Sequence, residues 1–440
     1  MEKQSINSYE QAVEYIFNVP RFTKKNTMAD TKAFLEKLGN PDLGLRIIHV
    51  AGTNGKGSVC AYMRNILEAA GKRVAVFTSP HLVDVRERFM IDGEMISKKA
   101  FYEAFQIIYN LLNWEELEAG EGYHPTFFEY MFFIAMLVFK QAKPDYCILE
   151  TGLGGRLDAT NAVSKKELAV ITRISLEHTE YLGDTLTQIA GEKAGIMKEN
   201  TPVVFADTEE ETTRVFLEKA KDLSCECFPV SKSHYTLLNF KNKSIDFSYV
   251  SRYDYNVKIH LSTLAKYQVE NCALALRAIE VLDADRSISQ QTLVQGVGKA
   301  FWPGRMEEVL PEIFVDGAHN ADGVRAFLET VSEDAFEGKR SILFSVVSDK
   351  DYAQMLKKIT ESGLFQKIYL AHMGNYRATS LEEMKRHLPE SFRGEVLLYE
   401  SVKAAFEAVK EKKKKNERVY IVGSLYLVGE IKEYVNNDKF

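Results

Sequence analysis

A glycine-rich turn near the start of the chain constrains the fold more than any other stretch. It lies between an apolar segment, residues 47–51, and an amphipathic segment, residues 59–70. A strand, a turn of small residues and a helix in this order predict a phosphate-binding loop, because backbone N–H groups converge there and the helix N-terminus adds partial positive charge. The loop consists of Gly52, Thr53, Asn54, Gly55, Lys56, Gly57 and Ser58.

The loop departs from the standard phosphate-loop spacing. Gly57 stands between Lys56 and Ser58, and two of the usual spacer residues are absent. In a phosphate loop, Lys56 would supply the cation and Ser58 the hydroxyl ligand of a metal. Taken alone, the motif leaves open an ordinary glycine-rich turn between a strand and a helix, so the rest of the chain has to decide.

The bulk composition favours a globular protein with more than one domain. The chain has 440 residues, of which 45% are hydrophobic and 27% charged, and its formal net charge is -6. This balance gives no general attraction to nucleic acid or to an anionic membrane. The five cysteines lack the paired spacing of a zinc site, and neither a signal sequence nor an apolar run of membrane-spanning length is visible. We therefore expect a cytoplasmic protein with neither nucleic-acid nor membrane partners.

Strand and helix patterns alternate along most of the chain, which predicts an α/β fold. We expect a first domain, residues 1–300, with a P-loop-type, mostly parallel sheet and a small antiparallel insert at residues 234–261. Glycine and proline cluster between Gly296 and Gly304, which favours a domain boundary there. A second, smaller Rossmann-like α/β domain would then cover residues 301–440.

Several polar side chains follow predicted strands, at the sheet edge where open α/β sheets bind ligands. Glu150 ends an apolar run and precedes a second glycine-rich segment, residues 151–161; Ser79 and His178 follow two other strands. A carboxylate beside a hydroxyl and a phosphate suits Mg²⁺. The residue types alone leave alternatives open: a solvated strand-end acid for Glu150 and a structural, hydrogen-bonded histidine for His178.

Four further residues are ambiguous by themselves. Lys193 lies in a helical segment, where a surface lysine is the ordinary interpretation. Arg305, near the predicted boundary, could bind a nucleotide phosphate or form a salt bridge. Asp316 and His319 end the first strand of the second domain, where a turn with an Asx-type bond is equally plausible.

Taken together in order, these segments resemble one family. The phosphate loop, Thr78 to Leu82, Glu150 to Asn161, Ser175 to Thr185, Gly191 to Met197, Gly304 to Glu307 and Asp316 to Asn320 resemble the ordered motifs of the folylpolyglutamate synthase and dihydrofolate synthase branch of the Mur ligases. The resemblance extends to Gly423 and Ser424 and covers almost the whole chain. The glycine after Lys56 is this branch's own variant.

The resemblance implies an ATP-dependent amide ligase of folate biosynthesis and one-carbon metabolism. Such an enzyme adds L-glutamate to dihydropteroate, to tetrahydrofolate polyglutamates or to both, through an acyl phosphate, and releases ADP and phosphate. Family members are usually monomers, and a monovalent-cation requirement stays open. Two alternatives remain: a Mur-type ligase acting on a UDP-linked cell-wall precursor, and an ATP-binding switch module without ligase activity.

The resemblance also implies roles for the strand-end residues. Two Mg²⁺ sites are implied, one held by Ser58 and Glu150 and the other by Ser79, Glu150 and His178. Lys193 matches a lysine that these ligases carbamylate with CO₂. The catalytic residues implied in this way are Lys56, Lys193, His178, His319 and Ser424.

The remaining implied contacts concern the nucleotide. Gln268 and Asn271 match residues on the adenine side, whereas Arg305 and Asp316 match contacts to phosphate and ribose from the second domain. His319 and Ser424 lie in segments that face the glutamate and acyl-phosphate site in the family.

Overall fold

The computed structural model describes residues 3–19, 26–241, 243–253, 255–374 and 377–437. The chain separates into two compact units, each made of three segments. The first comprises Met1–His234, Val250–Val257 and Asn271–Ala300, and the second comprises Tyr235–Tyr249, Lys258–Glu270 and Phe301–Phe440.

The strands and helices of the first unit alternate. Its strands are β1 (Ile47–Ala51), β2 (Val74–Phe77), β3 (Phe89–Ile91), β4 (Glu94–Met95), β5 (Tyr146–Glu150), β6 (Leu168–Ile171), β7 (Val203–Ala206) and β8 (Cys227–Val230). Its helices are α1 (Tyr9–Asn18), α2 (Met28–Lys37), α3 (Lys56–Ala69), α4 (Lys98–Asn110), α5 (Trp114–Glu118), α6 (Phe127–Ala142), α7 (Thr179–Leu182), α8 (Leu186–Ala194), α9 (Glu210–Asp222), α10 (Gln268–Leu282), which begins in the second unit, and α11 (Gln290–Lys299).

In the described residues these strands form an eight-stranded sheet in the order β4-β3-β2-β5-β1-β6-β7-β8. Strands β2, β5, β1, β6, β7 and β8 run parallel, whereas β3 and β4 pair antiparallel at one edge. Every residue of β1, β2, β5, β6 and β7 is buried, as strands covered by helices on both faces require. From β1 the chain crosses to β2 on one side, and from β5 it crosses to β6 on the other, so the sheet switches direction at β1 and β5.

The second unit repeats the α/β pattern on a smaller scale. A three-stranded sheet comes first along the chain, built from β9 (Tyr235–Lys241), β10 (Ser244–Val250) and β11 (Asn256–Leu261). Six further strands follow: β12 (Glu307–Leu310), β13 (Ile313–Asp316), β14 (Lys339–Phe344), β15 (Lys367–Ala371), β16 (Glu395–Tyr399) and β17 (Glu417–Val422). Over the described residues they form a sheet in the order β12-β13-β17-β14-β15-β16, in which only β12 is antiparallel. The helices are α12 (Ala321–Glu333), α13 (Tyr352–Glu361), α14 (Leu381–Arg386), α15 (Val402–Lys412) and α16 (Leu425–Asn437).

The predicted fold class is confirmed: two α/β regions with mostly parallel sheets and a small antiparallel sheet. One difference concerns residues 235–249 and 258–270, which the predicted division placed in the first domain. They group with the second unit because Phe240, Leu264, Ala265 and Tyr267 pack into its hydrophobic core. Sequence patterns could not show this, because an inserted segment is assigned by its packing partners.

A second finding concerns two of the glycines that cluster before the predicted boundary. Gly296 and Gly298 lie inside α11. A Cβ atom on Gly296 would lie 2.5 Å from Ile66 Cα and 2.9 Å from Asn65 O, both on α3, whereas a Cβ on Gly298 would have no heavy atom within 4 Å. Gly296 therefore allows α11 to pack closely against α3, the helix that follows the phosphate loop.

We expect Gly296→Ala to lower the free energy of unfolding by about 1–3 kcal/mol, because the new methyl group forces α11 away from the α3 backbone. Gly298→Ala is the matched control in the same helix, and it should leave stability unchanged or raise it by up to about 1 kcal/mol, since alanine favours helix. Urea denaturation followed by circular dichroism measures both. Equal midpoints for the two variants would contradict the close packing.

Candidate active site

Sheet topology brings three of the predicted site segments of the first unit side by side. Strand β5 lies between β2 and β1, and Val50 is the register partner of Glu150. Ser79 follows the carboxyl end of β2, Glu150 ends β5, and the phosphate loop follows β1. They meet where the sheet switches direction, which is the usual ligand-binding position of an open α/β sheet.

The phosphate loop has the backbone geometry that its glycines suggested. Gly55 has φ +92° and precedes α3 at its N-terminus, so Lys56, Gly57 and Ser58 form the first helical turn. Gly52 has φ +146°, and a Cβ atom there would overlap Thr172 Oγ1 on the segment after β6. No residue other than glycine fits at position 52 without moving that segment.

Contacts with neighbouring loops hold the phosphate loop in place. Thr53 N donates to Arg173 O at 3.0 Å, and the Thr53 hydroxyl donates to Ser175 O at 3.2 Å while accepting from Ser175 N at 3.1 Å. A Cβ atom on Gly55 would overlap Asn271 Oδ1, so Asn271 lies directly against the loop. These contacts hold the loop from both sides.

Glu150 is a buried carboxylate at the base of this site. It is 3% exposed, and its Oε2 accepts a hydrogen bond from Ser79 N at 3.1 Å. The Ser79–Pro80 peptide is cis. Ser58, on the first turn of α3, is also buried. A carboxylate and hydroxyl oxygens of this kind are the hard ligands that Mg²⁺ takes, so the donor set fits a magnesium ion that also binds phosphate oxygens.

Lys193 is not a surface lysine. It is 4% exposed, in the last turn of α8, and its Nζ donates to Gly52 O at 2.8 Å. Burial, together with the nearby charge of Lys56, lowers the pKa of Lys193 to about 7, against the opposing effects of Glu177 and Asp158. The structure therefore places a partly neutral amine on the phosphate loop itself.

His178 follows β6 and is partly exposed. Its backbone is left-handed, with φ 52°, its side chain is 37% exposed, and its Nε2 lies 3.9 Å from Glu177 Oε1. Across the part of the chain that the structure describes, no three His, Cys, Asp or Glu side chains form a metal-binding cluster. A cation bound here would depend on hydroxyl and phosphate oxygens in addition to Glu150.

The second unit contains its own group of predicted residues, centred on Asp316. Asp316 is buried, and its Oδ2 accepts from Tyr267 Oη at 2.5 Å and from Met306 N at 2.9 Å, while Oδ1 accepts from Ala318 N at 2.9 Å. Burial raises the pKa of Asp316, and the charge of Arg305 opposes that shift. Asp316 is therefore a rigidly held carboxylate beside a guanidinium group.

His319 and Ser424 follow neighbouring parallel strands, β13 and β17. Gly423, with φ +126°, donates to Ala318 O at 3.1 Å, which joins the two loops. His319 Nδ1 lies 2.7 Å from Gly317 O, and the Ser424 hydroxyl accepts from Tyr426 N at 3.1 Å at the start of α16. These two predicted residues are thus on adjoining loops of one sheet edge. Gln268, also in the second unit, is buried at the first position of α10.

Sequence reasoning missed three residues that shape these groups. Tyr267 holds Asp316, Thr172 limits position 52 to glycine, and Ser175 holds the phosphate loop through Thr53. The only signal for Tyr267 was its position directly before Gln268. Thr172 lies outside the motifs of the sequence analysis, whereas Ser175 begins the motif Ser175 to Thr185 but had no role assigned to it. Both residues act on a segment that is distant along the chain.

Two protein-family models match the chain. The Mur ligase middle domain matches residues 50–279, and the glutamate ligase domain of Mur ligases matches residues 304–425. In the described residues no helix is both long and apolar enough to cross a membrane.

Two relatives that match almost the whole chain are folate enzymes. The Bacillus subtilis dihydrofolate synthase/folylpolyglutamate synthase is 34% identical over 97% of this chain and 99% of its own length. The folylpolyglutamate synthase of Lacticaseibacillus casei is 30% identical over 97% of this chain and 98% of its own length.

Two solved structures share the fold of this chain over almost its whole length. Folylpolyglutamate synthase from Mycobacterium tuberculosis, solved with ADP and AMPPCP, has a TM-score of 0.87 at 26% identity and covers 97% of this chain and 98% of its own. Escherichia coli FolC in complex with DHPP and ADP has a TM-score of 0.84 at 27% identity and covers 100% of both chains. The chain therefore belongs to the folylpolyglutamate synthase and dihydrofolate synthase family of Mur ligases.

Proposed function

We propose that this protein joins the amine of L-glutamate to a carboxylate of dihydropteroate or of a reduced folate, with ATP as the source of energy. One observation carries this proposal: a phosphate loop whose Gly52 carbonyl contacts both Lys56 and Lys193 lies beside the buried carboxylate of Glu150. An ATP-dependent ligase needs this combination of phosphate binding and charge neutralisation. The names of the full-length relatives supply the substrate class.

The chemistry follows from the poor reactivity of a carboxylate toward an amine. The acceptor carboxylate attacks the γ-phosphorus of ATP, the bond to the bridging oxygen breaks, and ADP leaves. The resulting acyl phosphate is attacked by the neutral amine of glutamate, the amine loses a proton, and inorganic phosphate leaves with the pair of electrons of the broken C–O bond. Catalysis of the first step is mainly positioning and charge stabilisation.

The first unit contains the groups that this step requires. Lys56 and the N-terminus of α3 would stabilise phosphate charge, and Asn271 lies against the loop. Ser58 and Glu150 would hold one Mg²⁺, and Ser79, Glu150 and His178 the second. Bound Mg²⁺ would neutralise charge on the transferring phosphoryl group.

Carbamylation of Lys193 is part of the proposal. CO₂ adds only to a neutral amine, and burial has lowered the pKa of Lys193 to about 7. The adduct would exchange a buried cation, close to the Lys56 cation, for an anion beside the proposed metal ions. That exchange removes a repulsion and adds a carboxylate to the site.

The second unit supplies the remaining proposed contacts. Arg305 and Asp316 would bind the phosphate and ribose of the nucleotide, and Gln268 the adenine side. His319 and Ser424 would face glutamate and the acyl phosphate, which their shared sheet edge supports.

An ADP-release assay with ATP, Mg²⁺ and L-glutamate tests the function. Dihydropteroate, tetrahydrofolate and a UDP-muramoyl peptide are supplied separately as acceptors. We expect ADP release and a glutamylated product with at least one pterin acceptor and none with the UDP-linked compound. ADP release that is independent of every acceptor would instead favour an ATP-hydrolysing module.

Lys56→Met should lower kcat for ligation at least about a thousandfold, because one phosphate-stabilising cation is lost where charge develops. Lys72→Met is the matched control, since Lys72 is exposed just beyond α3 and should retain full activity. Single-turnover formation of the glutamylated product measures both. Near-normal product formation by Lys56→Met would remove Lys56 from the phosphate site.

The carbamate on Lys193 should increase with pH. Because the pKa of Lys193 is lowered to about 7, its neutral fraction rises as the pH rises from about 6 to about 8. ¹³C NMR of the protein under labelled CO₂ at constant pressure measures the adduct. The signal should vanish in Lys193→Ala and persist in Lys166→Met, where Lys166 is a second buried lysine with a lowered pKa. A signal that follows Lys166 instead would contradict the assignment.

A further inference from the structure

A short buried turn in the first unit connects the loop that follows Glu150 with the loop that follows α8, the helix of Lys193. The turn is a 3-10 helix, Ala159–Ala162, capped by Asp158, and it lies in the second glycine-rich segment. The catalytic scheme above gives its side chains no role, although Thr160 and Asn161 are both buried. Their hydrogen bonds run toward different loops.

Thr160 lies in a chain of hydrogen bonds that ends next to Glu150. His49 Nε2 is 2.8 Å from Thr160 Oγ1, which donates to Asp158 Oδ1 at 2.5 Å. Asp158 Oδ2 accepts from the backbone N–H groups of Gly152 at 2.8 Å and Leu153 at 2.9 Å. The chain therefore ties the loop after β5 to β1, the strand that leads into the phosphate loop.

The direction of these bonds is determined by chemistry. A carboxylate oxygen only accepts, so the Thr160 hydroxyl donates to Asp158 and must accept from a protonated His49 Nε2. Burial lowers the pKa of His49, with Lys166 and Lys198 adding to the shift, so this histidine is neutral and donates from Nε2. Each group has one compatible role, which makes the chain rigid.

Asn161 makes the equivalent connection to the loop that follows Lys193. Its Nδ2 donates to Gly195 O at 3.0 Å and to Arg156 O at 3.1 Å. Its Oδ1 accepts from Lys166 Nζ at 2.7 Å, and the same ammonium group donates to Ile196 O at 2.6 Å. Gly195 and Ile196 directly follow the end of α8, where Lys193 lies.

Two glycines allow these segments to approach so closely. A Cβ atom on Gly155 would lie 2.8 Å from Glu192 O and 2.9 Å from Lys193 O, and one on Gly195 would overlap Arg156 Cβ. The glycine-rich segment is therefore packed directly on the end of α8.

We propose that Thr160 and Asn161 are positioning residues, whose adjacent side chains fix the loop after Glu150 and the loop after Lys193 relative to the phosphate loop. The inference rests on the proposed function, because it assigns the purpose of the turn to the ligase reaction. Partners that orient metal ligands in this indirect way usually affect metal affinity or activity by about 10- to 100-fold.

The first test compares Thr160→Val with Thr160→Ser. Valine has nearly the same shape but lacks the hydroxyl that contacts His49 and donates to Asp158. We therefore expect kcat to fall about 10- to 100-fold and the Mg²⁺ concentration for half-maximal rate to rise. Serine keeps the hydroxyl and should restore both values to within about threefold of the starting protein. Equal values for valine and the starting protein, or equal losses for valine and serine, would overturn the proposal.

The second test uses Asn161→Asp, which keeps the shape but replaces the two donors with an acceptor facing two carbonyl groups. Its kcat should fall by a similar factor while its thermal midpoint shows that the fold persists; unchanged kcat would overturn the Asn161 part.

If Thr160→Val does not fold, His49→Gln tests the Thr160 hydrogen-bond chain at its other end. An unchanged kcat in His49→Gln would overturn the Thr160 part.

The outcomes separate this inference from the proposed function. If no pterin acceptor is glutamylated by the starting protein, the proposed function fails before any variant is compared. If the starting protein ligates but no carbamate forms on Lys193, carbamylation alone fails, and the loss of kcat in Thr160→Val and Asn161→Asp still supports the positioning role.

Discussion

The carbonyl group of Gly52 contacts two lysine side chains, and the candidate site depends on this contact. Lys56 Nζ lies 3.1 Å from that oxygen and Lys193 Nζ lies 2.8 Å from it. Two like charges so close together favour the neutral form of the more buried one, which adds to the effect of burial on Lys193. The phosphate loop, the end of α8 and the reactivity of Lys193 are thus coupled through one backbone oxygen.

That oxygen is available because of backbone geometry at position 52. With φ +146° and Thr172 against its Cα, the residue must be glycine. The loop can then turn sharply from β1 into α3, with the Gly52 carbonyl facing the two lysines. The unusual spacing of the loop is compatible with phosphate binding because the convergence of backbone groups, rather than the exact motif, creates the site.

The comparisons favour one of the three functional alternatives, the folate ligase, over the cell-wall ligase and the switch module. A cell-wall ligase and the folate enzymes share the Mur ligase domains, but the full-length relatives cited above are folate enzymes. A switch module without ligase activity would not account for the second matched domain, which is described as a glutamate ligase domain. The family membership therefore agrees with the chemistry that the phosphate loop, Glu150 and Lys193 can support.

The sequence by itself determined the fold class, the phosphate loop and the strand-end position of Glu150. These depend on local patterns: apolar runs, glycine turns and the order of motifs. It could not separate a surface Lys193 from a buried one, and it could not show that Gly296 packs against α3, because both depend on contacts with segments far away in the chain. Tertiary structure alone decided these questions. Burial of Lys193 against Gly52 changes its protonation, and the close contact of α11 with α3 explains Gly296, since solvation and packing depend on three-dimensional neighbours that no local pattern encodes.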